Sequence, residues 1–144
     1  MFKNPGDQVI KELLTKSRTV AVVGLSNKPE RDSYQVAEYL QKHGYRVIPV
    51  NPVLSEVLGE KAYPDLALIP EPVDIVNVFR RSEEVPAVVS AALPAKPAAI
   101  WLQLGVVNGE AAAVAGKQGV TVVMDRCIKT EHNRLLGECS PFTK

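Results

Sequence analysis

The chain has 144 residues, enough for one domain around a single core, and 46% of them are hydrophobic and 23% charged. With 17 Lys and Arg against 16 Asp and Glu, the formal net charge is +1, which argues against a non-specific nucleic-acid or membrane binder. No apolar run approaches the roughly 18 residues of a membrane span, and "MFKNPGDQVIKELL" lacks the apolar core of a secretory leader, so a cytoplasmic protein is expected.

The pattern begins with a short helix predicted over about 7–16. The run "TVAVVG" (19–24) is the first strand. "DSYQVAEYLQKHG" follows as a helix, with Val36, Ala37 and Leu40 on one face and Gly44 at its end. Asp32 with Gln35 three residues on fits a capping box, with Ser33 as the alternative cap. "YRVIPV" (45–50) is the second strand. The segment 51–72 carries Pro52, Pro64, Pro70 and Gly59, and reads as a long connection with one short helix around Asp65–Leu68. "VDIVNVF" (73–79) is the third strand, followed by the helix "RSEEVPAVVSAAL" with Pro86 in its first turn. "AAIWLQL" (98–104) is the fourth, and Trp101 reads as core. The helix "NGEAAAVAGKQG" is opened by Asn108 and closed by Gly119. "VTVVMD" (120–125) is the fifth strand, a last helix spans about 131–136, and the tail 137–144 is expected to fray.

The strands are short, β-branched and apolar throughout, as strands covered on both faces are. Strand–helix alternation of this kind predicts an α/β fold: an open, doubly wound, mainly parallel five-stranded sheet with right-handed crossovers, helices on both faces, and a single domain with its core at about 18–128.

Ligands of such sheets bind outside the carboxyl ends of the strands. The first loop has the chemistry of a phosphate cradle. Gly24 turns the backbone, Ser26 offers a hydroxyl, Lys28 and Arg31 offer charge, and the next helix points its amino end at the loop. The loop does not fit NAD. The glycine fingerprint needs glycines at 26 and 29, where the chain has Ser26 and Pro29, and the second strand ends in Asn51-Pro52 rather than an acid. Phe79 either covers an adenine face or packs. Arg80 and Arg81 face phosphate or form a solvated group beside Glu83 and Glu84. Gln103 stands directly after an apolar strand and is placed to read a ligand through its amide.

No catalytic set emerges: there is no nucleophile elbow, P-loop or metal-ligand cluster. His43 reads as a surface residue at a helix end. His132 is open between a functional and a structural role. Cys127 and Cys139 match no metal spacing, and the sequence leaves open whether they pair. In "DRC", Arg126 and a following helix start would lower the Cys127 thiol pKa, making it reactive; packing is the alternative.

The motifs "VAVVGLSNKPERDSYQV", "GYRVIPVNP", "VDIVNVFRRSEE", "WLQLGVVN" and "VVMDRC" together resemble the small stand-alone CoA-binding proteins of bacteria and archaea, whose Rossmann-like domain is similar to the CoA-binding domain of the succinyl-CoA synthetase α subunit. The resemblance implies coenzyme A, or a short acyl-CoA, in the crevice at the strand ends. It implies a first loop of Gly24, Leu25, Ser26, Asn27 and Lys28 wrapping the phosphates, with Arg31 nearby. It places Asn51 and Pro52 towards the adenosine half, and Val78, Phe79, Arg80, Leu102 and Gln103 along the crevice. The synthetases carry a phosphorylated histidine on a second domain, to which His132 does not correspond. The expected function is therefore non-catalytic CoA binding. The alternatives are an NADP-type oxidoreductase, a thiol-dependent redox or regulatory protein using Cys127, and a subunit lending its CoA site to an acyl-CoA ligase partner. A homodimer is the base-rate expectation.

Overall fold

The computed structural model describes residues 2–137. Five parallel strands form one sheet: β1 (Thr19–Val23), β2 (Arg46–Val50), β5 (Ile75–Val78), β6 (Ala99–Leu102) and β7 (Thr121–Val123), in the order β2-β1-β5-β6-β7. The helices are α1 (Asp7–Lys16), α2 (Asp32–Lys42), α3 (Val85–Ala92), α4 (Gly109–Lys117) and α5 (Ile128–Leu136). The predicted sheet and all five predicted helices are present, within a few residues at each end.

The strands alternate between two cores. Ala21, Val23, Ile48, Val50, Val76 and Val78 face α3 and α4. Val20, Val22, Val47, Ile75, Trp101 and Val123 face α1, α2 and α5. Both faces are therefore covered, as the unbroken apolar runs require. Trp101 is fully buried and its indole N–H donates to the Arg126 carbonyl at 2.9 Å. A side chain of that kind contributes about 2–3 kcal/mol through burial. Beside it, Asn77 donates to the Trp101 carbonyl and to Gln103 Oε1 at 3.3 and 3.1 Å, while its own Oδ1 has no partner among the described residues.

Three local expectations are corrected. The segment 51–72 holds a two-stranded hairpin, β3 (Glu56–Val57) with β4 (Glu60–Lys61), in addition to the 3-10 turn Leu66–Leu68 capped by Asp65. Two residue pairs are too short to show alternation, so the hairpin left no period in the sequence. The Asp32–Gln35 capping box does not form. Arg31 is the residue before α2 and gives no side-chain cap, while the Ser33 hydroxyl instead accepts from the Ser26 N–H at 3.0 Å. The last helix starts at Ile128, not 131. Residues 138–144, most of the tail expected to fray, lie outside the described residues, as does Cys139.

Both edges of the sheet are partly covered at one end. On β7, Asn4 mimics a strand: its amide donates to the Met124 carbonyl at 2.9 Å and accepts from the Met124 N–H at 2.8 Å. On β2, which contains Pro49, Tyr63 returns to bridge Val50 and exchanges hydrogen bonds with Pro49 and Asn51. Arg134 joins α1 to α5 through Asp7 and Glu131. No described helix is long and apolar enough to cross a membrane.

Candidate functional site

The strand order reverses between β1 and β5. After β1 the chain winds to β2 on one side, then crosses back to β5 on the other. The loops leaving β1 and β5 therefore diverge and leave a crevice at the carboxyl ends. Three adjoining cavities make up this crevice, of about 690, 650 and 520 Å³.

The first cavity lies over the β1 loop. Gly24 has φ +88° and donates its N–H to the Val50 carbonyl at 2.9 Å; a side chain there would overlap the Phe79 carbonyl. The loop then folds on itself: the Ser26 hydroxyl accepts from the Lys28 N–H at 3.0 Å, and Ser33 holds the Ser26 N–H. This leaves the amino end of α2 without a side-chain cap. Lys28 and Arg31 line the cavity, are exposed, and form no ion pair among the described residues. The cavity is not uniformly positive, because Glu30 and Asp32 also line it.

The second cavity lies over β5, β6 and the start of α5, lined by Phe79, Arg80, Gln103, Cys127 and Lys129. Phe79 is half-buried: it packs on the α2 side of the core and also borders both this cavity and the first. Gln103 is 5% exposed and locked in place, its Oε1 accepting from Asn77 and from the Ile128 N–H at 2.9 Å. The third cavity lies on the β2 side, with Val50, Leu66, Ala87 and Val88 as apolar walls and Asp65 at the rim. Arg80 borders both the second and the third, its Nη1 3.9 Å from Glu84. Arg81 forms the shorter pair with Glu84, at 3.0 Å.

The structure sorts the sequence-based candidates. Gly24, Ser26, Lys28, Arg31, Phe79, Arg80 and Gln103 border the crevice. Leu25, Val78 and Leu102 have fully buried side chains and shape its floor from within the core. Asn51 is engaged internally, donating to the Leu25 carbonyl at 3.1 Å and accepting from the Val53 N–H at 2.9 Å. It ties the β1 loop to the end of β2. Asn27 and Pro52 are exposed and line none of the three cavities. Sequence reasoning missed Gln35, Leu104, Val106, Lys129 and Thr130, which line the second cavity. Lys129 and Thr130 were within reach of the reading, since they open the helix that begins right after Cys127.

A family model described as a CoA binding domain matches residues 18–133, which takes in the loop, the crevice and most of α5. The chain belongs to this CoA-binding domain family. It is 48% identical over 131 residues to the uncharacterized protein YneT of Bacillus subtilis, covering 91% of this chain and 97% of that protein. A hypothetical protein from Pyrococcus horikoshii superimposes with a TM-score of 0.90 at 38% identity, covering 95% of this chain and 99% of the other. The α subunit of an ADP-forming acetate–CoA ligase of Pyrococcus furiosus is 42% identical over 62 residues, which is 42% of this chain and 14% of that subunit. The CoA-binding domain is therefore shared with larger ligase subunits.

Within this CoA-binding domain, Cys127 is the residue before α5 and borders the second cavity. Burial pushes its thiol pKa up. The Gln103 side chain and the Thr130 and Lys129 groups at the start of α5 stabilise the thiolate and outweigh burial, so the net direction is down. The helix start acts as the sequence suggested. Arg126 does not: its guanidinium turns to the Asp125 carbonyl at 2.9 Å. A lowered pKa keeps more thiolate at neutral pH and delays its loss as pH falls. In a Cys139→Ser background, alkylation of Cys127 by iodoacetamide should titrate with a midpoint below that of an unfolded cysteine peptide. Gln103→Glu should raise that midpoint. A native midpoint at or above the peptide value would show that burial dominates.

Proposed function

We propose that the chain binds coenzyme A, or a short acyl-CoA, along this crevice and does so without carrying out a reaction by itself. The observation that carries the reading is the β1 loop: an uncapped amino end of α2 facing a cavity that holds two unpaired cations, Lys28 and Arg31. Helix N–H groups and side-chain cations of this kind suit a pyrophosphate and a 3′-phosphate. The end of β2 carries Asn51 rather than the ribose-binding acid of a dinucleotide site. The third cavity has apolar walls for the adenosine half, with Arg80 at its edge beside the carboxylates of Asp65, Glu83 and Glu84. The second cavity, reaching Gln103 and Cys127, suits the pantetheine arm. Membership of the family supports the ligand.

The likeness to an acetate–CoA ligase α subunit favours one further reading, in which the chain lends this site to a ligase partner that supplies the chemistry.

Calorimetry with CoA, dephospho-CoA, NAD and NADP tests the proposal. CoA should bind best, and loss of the 3′-phosphate should cost about tenfold, as expected for one charge-assisted contact near the surface. Tight NADP binding with no heat from CoA would overturn it in favour of a nucleotide-dependent oxidoreductase.

A further inference from the structure

The opposite rim of the sheet carries a second feature. Where α1, α2 and α5 end, a cavity of about 470 Å³ opens at the surface. Its walls include Ser17, Arg18, His43, Tyr45, His132 and Leu136, and no carboxylate lines it among the described residues.

Helix carboxyl ends ordinarily disfavour anions. Here several of the carbonyls at the ends of α1 and α2 are already engaged. The Ser17 N–H donates to the Leu13 carbonyl at 3.1 Å and the Tyr45 hydroxyl to that of Leu14. The Tyr39 carbonyl accepts from the His43 N–H at 3.1 Å and from His43 Nδ1–H at 2.8 Å, and the Leu40 carbonyl accepts from the Tyr45 N–H at 3.0 Å.

What remains towards the cavity is a set of donors. Ser17 is only 7% exposed, and its hydroxyl has no hydrogen-bond partner among the described residues. The Arg18 guanidinium is exposed and forms no ion pair among them. The Tyr39 hydroxyl lies 2.8 Å from His132 Nδ1; in the tautomer where the hydroxyl donates, the ring carries its proton on Nε2, towards the cavity. His43 spends Nδ1–H on the Tyr39 carbonyl, so its Nε2 donates to an anion only when the ring carries a second proton. The two rings are stacked edge to face, with centroids 5.0 Å apart. Burial first, and His43 second, hold the His132 pKa below its usual value.

We infer that this cavity is a second ligand site, which takes the oxyanion head of a small organic acid or phosphate ester through Arg18, Ser17, His43 and His132. Tyr45 and Leu136 offer an apolar wall to the rest of such a molecule. The groups facing the histidine pair are Tyr39 from α2, Tyr45 from the start of β2, Arg18 ahead of β1 and Lys129 from α5, over the Tyr39 ring. None of these described groups is acidic, so a bound oxyanion supplies the counter-charge that lets a ring take up a proton. Binding therefore tightens as pH falls towards about 6 and below, where the lowered pKa of His132 places its protonation. The site stands on the far rim and does not depend on what fills the crevice.

The chain has two histidines, so their ring Cε1–H signals in NMR report on this cavity directly. Inorganic phosphate and propionate are titrated separately at pH 6 and pH 8. Saturable shifts of both ring signals are expected with at least one probe, stronger at pH 6. Saturation by phosphate alone identifies a phosphate-ester site, and saturation by propionate alone a carboxylate site. Arg18→Gln should weaken binding about fivefold or more, Ser17→Ala less, and Lys28→Ala not at all. Linear, non-saturating shifts with both probes would overturn the inference. So would equal affinity in Arg18→Gln and the parent.

Discussion

Replacing Lys28 and Arg31 together with alanine should weaken CoA binding by about 10- to 100-fold at low salt. The figure corresponds to two charge-assisted contacts, discounted because both side chains are exposed. Fold stability should stay where it was, since both side chains are exposed and neither forms an ion pair among the described residues. The diagnostic is the salt dependence. Screening weakens the parent complex as ionic strength rises, because the Debye length shrinks to about 10 Å at 0.1 M. The double variant should lose much of that slope. Unchanged affinity and unchanged slope, measured by calorimetry across a salt series, would show that the loop does not touch phosphate.

The second large effect is expected at Gly24. Its φ of +88° is strained for any other residue, and an added Cβ would overlap the Phe79 carbonyl. Neither neighbour has room to move. The Phe79 N–H is bonded to the Val23 carbonyl at 2.8 Å, and the Gly24 N–H to that of Val50 at 2.9 Å. Gly24→Ala should therefore cost about 3 kcal/mol and lower the melting temperature by about 10 °C. The surviving folded fraction should bind CoA poorly, because the overlap is relieved only by moving the loop off the strand ends. A loss below about 0.5 kcal/mol in denaturant unfolding would mean that the switch point tolerates a side chain.

The sheet was legible because its strands are buried on both faces, and continuous β-branched runs such as "VDIVNVF" carry that burial openly. Gly44, Asn108 and Gly119 marked helix ends through backbone needs that are local. The hairpin at Glu56–Lys61 was hidden because it is short and its stability comes from contact with β2, a tertiary effect. The Asp32–Gln35 pattern failed for a related reason: Ser33 turned to the β1 loop, seven residues upstream, where no helix-capping rule looks. At the site, chain position identified the loops but not side-chain direction. Leu25, Val78 and Leu102 alternate inward, and Asn51 spends its amide on the β1 loop. Lys129 and Thr130 enter the crevice because α5 begins three residues earlier than its apolar pattern suggested.

The partly covered edges of the sheet bear on how copies of the chain can meet. A parallel sheet with a bare rim invites another copy to add a strand, and that route leads to open-ended aggregation. Asn4 answers both backbone groups of Met124, while Pro49 and the returning Tyr63 close the other rim. Another copy's strand therefore meets no free backbone at Met124 or beside Tyr63. Trimming the first residues up to Asn4 would bare the Met124 backbone at the end of β7, even with the crevice intact.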